Sequence, residues 1–283
     1  MFKTTGSRLP TLVALCSIVT GCQSSSPPAE PSGNSQAGSN PATATTTTKT
    51  TIAVAAASDL KFALDEILVA FQKQHPEIEV RTTYGASGNF FTQLSNRAPF
   101  DIYFSADIGY PRQLIEQGLT DSESEFLYAE GRIVVWARNE SPLDLEKLRI
   151  ESLLESSVKK IAIANPLHAP YGRAAEAALK SLKVYDRVKD RLVLGENIAQ
   201  TAQFVESGAA DVGIIALSLA MAPAMKDKGR FWMVPADAYP KLEQGGVILE
   251  WSKAKDAANA LRSFVMGAEG REILESYGFE AEN

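Results

Sequence analysis

The chain has 283 residues and a formal net charge of −6. Such a length allows one large or two modest domains with a real core, and 45% hydrophobic with 22% charged residues is ordinary for a globular protein. The acidic balance removes any general electrostatic case for nucleic acid or an anionic membrane surface as partner.

The first residues read as a targeting segment rather than as fold. Lys3 and Arg8 form a basic start, and Leu12 to Val19 is an apolar run too short to span a bilayer. The run ends in "VTGC", Val19 to Cys22, which resembles the bacterial lipobox: a branched residue, two small residues, then cysteine. The resemblance implies a signal peptide over residues 1–21, cleavage before Cys22 and diacylglycerol on its sulfur. The alternative is a free cysteine in an ordinary signal peptide. Gln23 follows, not Asp, so no inner-membrane retention signal is implied. Residues 22–50 are Ser, Pro, Thr, Ala and Gly with almost no bulky apolar side chain. Such a stretch buries too little surface to fold and reads as a flexible tether. Both cysteines, Cys16 and Cys22, lie in this leader, so the folded domain has no disulfide, thiolate ligand or cysteine nucleophile. With His75 and His168 the only histidines, a His-rich metal site is excluded by counting. No cofactor is expected.

From Thr51 strands and helices alternate. "TIAVAAA" reads as a buried strand, after which Leu60, Ala63, Leu64, Ile67, Leu68 and Phe71 recur at helical spacing. "IEVRTTYG", "FDIYFSA", "GRIVVWAR", "KKIAIAN", "RLVLG", "ADVGIIAL" and "GGVILEWS" read as further strands. Helices are expected at "NFFTQLSNR", near "YPRQLIEQG", over Ala174 to Leu182, at "NIAQTAQFVESG" and twice near the end of the chain. Alternation of this kind predicts α/β layers with largely parallel sheets.

Four helix starts share one chemistry. They are "AAASDL" around Ser58 and Asp59, "YGASGN" around Ser87, "NPLHAPYG" around Tyr171, and "LGENIAQ" leading into Ile198. Each is small and rich in hydroxyl or amide donors. Helix N-termini expose unpaired N–H groups and carry partial positive charge, so several aimed at one point hold an anion without a cation. In α/β sheets such starts lie at the carboxyl ends of strands, where ligands bind. Any one of the four is equally an ordinary cap; the argument rests on all four together. The first two contain no Arg or Lys, and a donor-only pocket suits a fully ionised oxyanion.

These motifs, with "DIYFSAD", "GENIAQTAQFVESGAADVGIIALS" and a terminal "YGF", resemble the periplasmic molybdate-binding proteins of ABC transporters, from about Ile52 to about Phe279. The resemblance implies the two-lobed type II periplasmic binding protein fold, an α/β architecture with the ligand in a cleft. Lobe 1 would cover residues 51–130 and 219–283, and lobe 2 residues 131–218, with hinges before "GRIVVWAR" and after "GIIALS". It implies a monomeric, non-catalytic receptor on the periplasmic side of a bacterial membrane, held there by its lipid anchor. Its ligand would be molybdate or tungstate, and its partners a permease and that permease's ATPase subunit. By motif, Ser58 and Ser87 donate by hydroxyl and N–H, Asp59 by its backbone N–H, Tyr171 from the second lobe, and Ile198 by main-chain N–H. Many members carry a late-strand tyrosine whose hydroxyl reaches the anion; Ala216 stands in that place here, and Tyr171 falls where those members have alanine. The Asp59 carboxylate would be unfavourable facing a dianion in a dry cleft, so it is expected to turn away as an acidic residue of its helix's first turn.

Other polar residues have plainer expectations. Asp101 fixes a strand end, Asp107 caps or turns, Ser105 is structural, His168 sits at the cleft rim, Asn197 orients or caps the fourth turn, and Phe231 with Trp232 packs. Two other functions are compatible with the chain: capture of sulfate or phosphate, for which Asp59 is the support, and a serine hydrolase using Ser58 or Ser87 with His168 as base.

Overall fold

A computed structural model describes residues 49–280; the signal segment, Cys22 and nearly all of the tether lie outside the described residues. The described chain begins with β1 (Thr50–Ala57), a 3₁₀ turn (Ser58–Leu60), α1 (Lys61–Gln74), β2 (Ile78–Gly85), α2 (Ser87–Ser95), β3 (Ile102–Ser105), α3 (Gly109–Glu116) and β4 (Phe126–Gly131). It continues through β5 (Ile133–Arg138), α4 (Leu145–Leu148), β6 (Ile161–Ala164), α5 (Pro170–Ser181), α6 (Tyr185–Val188) and β7 (Leu192–Gly195). Next come α7 (Ile198–Glu206), β8 (Val212–Ala216), α8 (Leu217–Met221) and β9 (Gly229–Met233), then β10 (Leu242–Ile248), α9 (Lys255–Met266) and α10 (Ala268–Ser276).

The strands form two five-stranded sheets, ordered β2-β1-β3-β10-β4 and β7-β6-β8-β5-β9. β1 runs parallel to β2 and β3, whereas β10 is antiparallel to both β3 and β4. The second sheet repeats the plan: β6 is parallel to β7 and β8, and β5 antiparallel to β8 and β9. The α/β, two-lobed architecture expected from the sequence is therefore present, but both sheets are mixed rather than largely parallel.

Alternation along β1 shows why both faces of the sheet are covered. Ile52, Val54 and Ala56 join one cluster with Leu60, Leu64, Ile67 and Phe71 of the first helical stretch. Ala55 points the other way, into a cluster with Phe90, Leu94, Tyr103 and Leu114. Strands buried on both faces read as continuous apolar runs, as "IAVAAA" does. The second lobe closes over its own core, from Ile133–Ala137 of β5 to Ile161–Ala164 of β6 and Ala174, Ala178 and Leu179 of α5.

Two strands were not anticipated. "FLYAEG" forms β4 and "GRFWM" forms β9. Each is a sheet edge that no α-helix directly follows, so neither shows the strand-to-helix turn that marks the edges β2 and β7. β9 corrects the lobe boundary. The return to the first lobe, expected at residue 219, comes after Met233, because β9 pairs with β5 in the second sheet and the chain re-enters the first sheet at β10. The first passage from one sheet to the other lies between Gly131, the last residue of β4, and Ile133, the first of β5.

Candidate functional site

Ser58, Asp59, Ser87, Tyr171 and Ile198 all line one small cavity, ≈ 10 Å³ for the centre of a water-sized body. Between them lie Ala57, Ala86, Ala106 and Ala169, so backbone rather than side chain forms most of the wall. Ser58 opens the 3₁₀ turn, Ser87 opens α2, Ile198 opens α7, and Tyr171 follows Pro170 at the start of α5. Their N–H groups precede any intrahelical acceptor, and Pro at the first helical position sacrifices a donor that would have been unpaired anyway. No Arg or Lys lines the cavity. A larger groove of ≈ 670 Å³ sits at the other end of β1, by Thr50, His75, Glu77 and Lys253, but charges of both signs line it.

Side chains from the two lobes meet across the cavity. The Ser58 hydroxyl donates to Asn197 Oδ1 at 3.2 Å and accepts from the Ala199 N–H at 3.3 Å. Asn197 also caps α7, its Oδ1 accepting from the Gln200 N–H at 3.0 Å, so it both caps and orients. Ser87 Oγ accepts from the Ala106 N–H at 3.0 Å, and the Ser87 carbonyl accepts from the Tyr103 hydroxyl at 2.8 Å. Ser87 lines the cavity, its hydroxyl also within hydrogen-bond reach of the Tyr103 hydroxyl.

Tyr171 differs from expectation. Its hydroxyl does not serve as a free donor to the cavity: it donates to Asp59 Oδ2 at 2.9 Å. Gln244 Nε2 donates both to the same Oδ2, at 2.7 Å, and to the Tyr171 hydroxyl, at 2.8 Å. Gln244 is held in turn by Tyr128, whose hydroxyl donates to Gln244 Oε1 at 2.8 Å. The Asp59 carboxylate thus turns into a buried polar clasp joining α5 of one lobe to the 3₁₀ turn, β4 and β10 of the other. It does occupy the first turn, as expected, but its partners are side chains. Burial pushes the Asp59 carboxyl up to about 6, with the hydrogen bonds from Gln244 and Tyr171 pulling the other way. Burial, and then the Asp59 charge, likewise push the Tyr171 hydroxyl far up, so it stays protonated. Gly131 makes room for the clasp: a Cβ there would lie 2.3 Å from the Tyr171 hydroxyl and 2.6 Å from Gln244 Nε2.

The rim has its own contacts. Arg173 of α5 pairs with Asp107 and donates to the Tyr110 hydroxyl at 2.9 Å. The Gly88 N–H donates to the His168 carbonyl at 2.9 Å, a close approach that a Cβ at Gly88 would obstruct at 2.8 Å. Asp107 Oδ1 also accepts from the Gly109 N–H, the turn role expected of it. Asp101 accepts from the Ala53 N–H and the Ser252 hydroxyl at a strand end, and Ser105 bonds the Asp107 backbone. Trp232 packs on the core of the second lobe, while Phe231 is exposed on β9. Gln244, Tyr128, Gly131 and Arg173 were not singled out from the sequence. A glutamine inside a strand or an arginine inside a helix carries no local signal of a partner more than sixty residues away. Among the described residues neither cavity serine bonds a histidine, and no cluster of His, Asp or Glu is placed to hold a metal ion.

The model of the bacterial extracellular solute-binding protein family matches residues 52–280. The molybdate-binding protein ModA of Azotobacter vinelandii is 34% identical over 228 residues, covering 81% of this chain and 89% of that one. ModA of Rhodobacter capsulatus is 35% identical over 203 residues, covering 72% and 78%. The solved periplasmic molybdate-binding protein of A. vinelandii superposes with a TM-score of 0.76 at 30% identity, over 82% of this chain and all of that one. The chain therefore belongs to the bacterial extracellular solute-binding proteins and, within them, to the ModA family, whose members bind solutes and are not enzymes.

Proposed function

We propose that this protein is the substrate-binding lipoprotein of an ABC transporter that captures molybdate, and also tungstate, and delivers it to a membrane permease. One observation carries the reading: four helical turns from both lobes bring donors to a cavity that no cation lines. The Ser87 hydroxyl, the Ser58 hydroxyl once it turns from Asn197, and the N–H groups of Asp59, Tyr171 and Ile198 would hold the oxygens of a tetrahedral dianion. Helix-terminal partial charges spread over those oxygens supply the electrostatic stabilisation without a counter-ion. Closure of the lobes removes water and aligns the donors, a population shift driven by the ligand. Cavity size would select molybdate and tungstate over the smaller sulfate. The lipobox-like "VTGC" supports anchoring through Cys22 on the periplasmic side, with residues 22–50 as tether.

Calorimetric competition among molybdate, tungstate, sulfate and phosphate tests the ligand. Molybdate and tungstate should bind tightly and sulfate weakly; equal affinity for sulfate, or no molybdate binding, refutes the reading. The buried Asp59 carboxylate favours one second reading, a protonated oxyanion such as hydrogen phosphate, which tight phosphate binding lost in Asp59→Asn would establish. For the anchor, Cys22→Ser should move the protein from the membrane to the soluble fraction.

A further inference from the structure

The partners of the Asp59 carboxylate are unevenly divided. Oδ2 accepts from Tyr171 and Gln244, whereas Oδ1, equally buried, meets no donor in hydrogen-bond geometry, the nearby Asp59 and Leu60 N–H groups lending the carboxyl only partial positive charge. A carboxylate oxygen can only accept, and burying it without a donor forfeits hydration with no return. The elements packed around Asp59 bring no cation to it. Tyr171 faces it from α5, Tyr128 from β4 and neutral Gln244 from β10, while Ser218 of α8 donates to its carbonyl at 2.9 Å. Asp59 also lines the cavity assigned above to a dianion. An anion arriving there places a second negative charge beside the first in a dry site, where like charges disfavour ionisation.

A proton on Oδ1 removes both faults. The oxygen that lacked a donor no longer needs one, and the charge that would repel an anion in the cavity disappears. Oδ2 remains an acceptor for Tyr171 and Gln244. We propose that anion capture is coupled to uptake of one proton by Asp59, so that the closed cleft holds the dianion beside a neutral carboxylic acid. This rests on the oxyanion reading of the cavity. Burial alone already holds the Asp59 carboxyl near 6. At neutral pH the unliganded protein is therefore mostly ionised there and takes its proton from solvent on binding. Affinity then falls as pH rises.

Titration of the protein with sodium molybdate, in buffers of different ionisation enthalpy at about pH 7.5, reads the proton count directly. About one proton should be taken up per anion, and Kd should rise toward tenfold per pH unit between about pH 6.5 and 8.5. Asp59→Asn, nearly isosteric, should bind with no proton uptake and a flat pH profile. Tyr171→Phe removes a donor to the carboxylate, which raises the pKa of Asp59, so its affinity should begin to fall at a higher pH than in the native protein. Molybdate binding by the native protein without buffer-dependent heat, or proton uptake that survives Asp59→Asn, overturns the proposal while leaving the oxyanion reading intact. Absence of molybdate binding by the native protein refutes that reading, and this proposal with it.

Discussion

Tyr171→Phe isolates the clasp from the anion donors. The substitution keeps the ring, the helix start and the Tyr171 N–H, and removes only a hydroxyl. That hydroxyl donates to Asp59 Oδ2 at 2.9 Å and accepts from Gln244 Nε2 at 2.8 Å, in a site where Tyr171 is 1% exposed. In the closed, liganded state the acceptor is a neutral carboxylic acid, and a hydrogen bond between neutral groups contributes about 0.5–1.5 kcal/mol. The bond joins the two lobes, so its loss falls on the closed state that binding selects. A loss of about 1 kcal/mol corresponds to roughly fivefold in Kd. Isothermal titration with molybdate measures it, and a Kd within about twofold of native would refute the reasoning. A double-mutant cycle locates the cause. Because the hydroxyl acts through Asp59, the effect should shrink in an Asp59→Asn background; full additivity would mean that the hydroxyl acts on the anion directly.

Three further outcomes follow from the same geometry. The Asp59 carboxyl is raised from 3.8 to about 6 in the folded protein. Its contribution to stability is therefore fully present below about pH 3.8 and lost as pH rises through about 6, a cost of roughly 3 kcal/mol at neutral pH. Asp59→Asn should accordingly raise the ligand-free Tm at pH 7, and the gap should close near pH 4; thermal melts across that range check it. Gly131→Ala should weaken molybdate binding at least as much as Tyr171→Phe and lower the Tm, since its Cβ would lie 2.3 Å from the Tyr171 hydroxyl and overpacking costs about 1–3 kcal/mol. Arg173→Met breaks an ion pair whose side chains are 40% and 37% exposed. Such pairs contribute about 0–1 kcal/mol, so affinity should fall less than about fivefold, and the difference should vanish in high salt.

Much of this was readable along the chain, for local reasons. The run "IAVAAA" announces a strand covered on both faces, and the spacing of Leu60, Leu64, Ile67 and Phe71 announces the helix after it, because burial and period are properties of short windows. The donor character of the Ser58, Ser87, Tyr171 and Ile198 turns was equally local, and all four come to one cavity. β4 and β9 escape such a reading because no α-helix directly follows either, so neither carries the strand-to-helix turn that marks the edge strands β2 and β7. Gln244 escapes it because a buried polar residue makes sense only once Asp59 and Tyr171 are beside it.

The chain read residue by residue carries the alternation of strands and helices, the small residues at each strand-to-helix turn, and a shortage of cysteine and histidine that excludes a His-rich metal site and, beyond Cys22, a thiolate one. Where two side chains of known type point is fixed by the folded chain alone. It turned the Tyr171 hydroxyl from the expected anion donor into a tie between lobes, and placed the Asp59 carboxylate at the centre of that tie with one oxygen unpaired. The physical reason is distance along the chain. Asp59 and Tyr171 are 112 residues apart and Asp59 and Gln244 are 185 apart, so their pairing is set by the closure of two lobes and by nothing within reach of a sequence window.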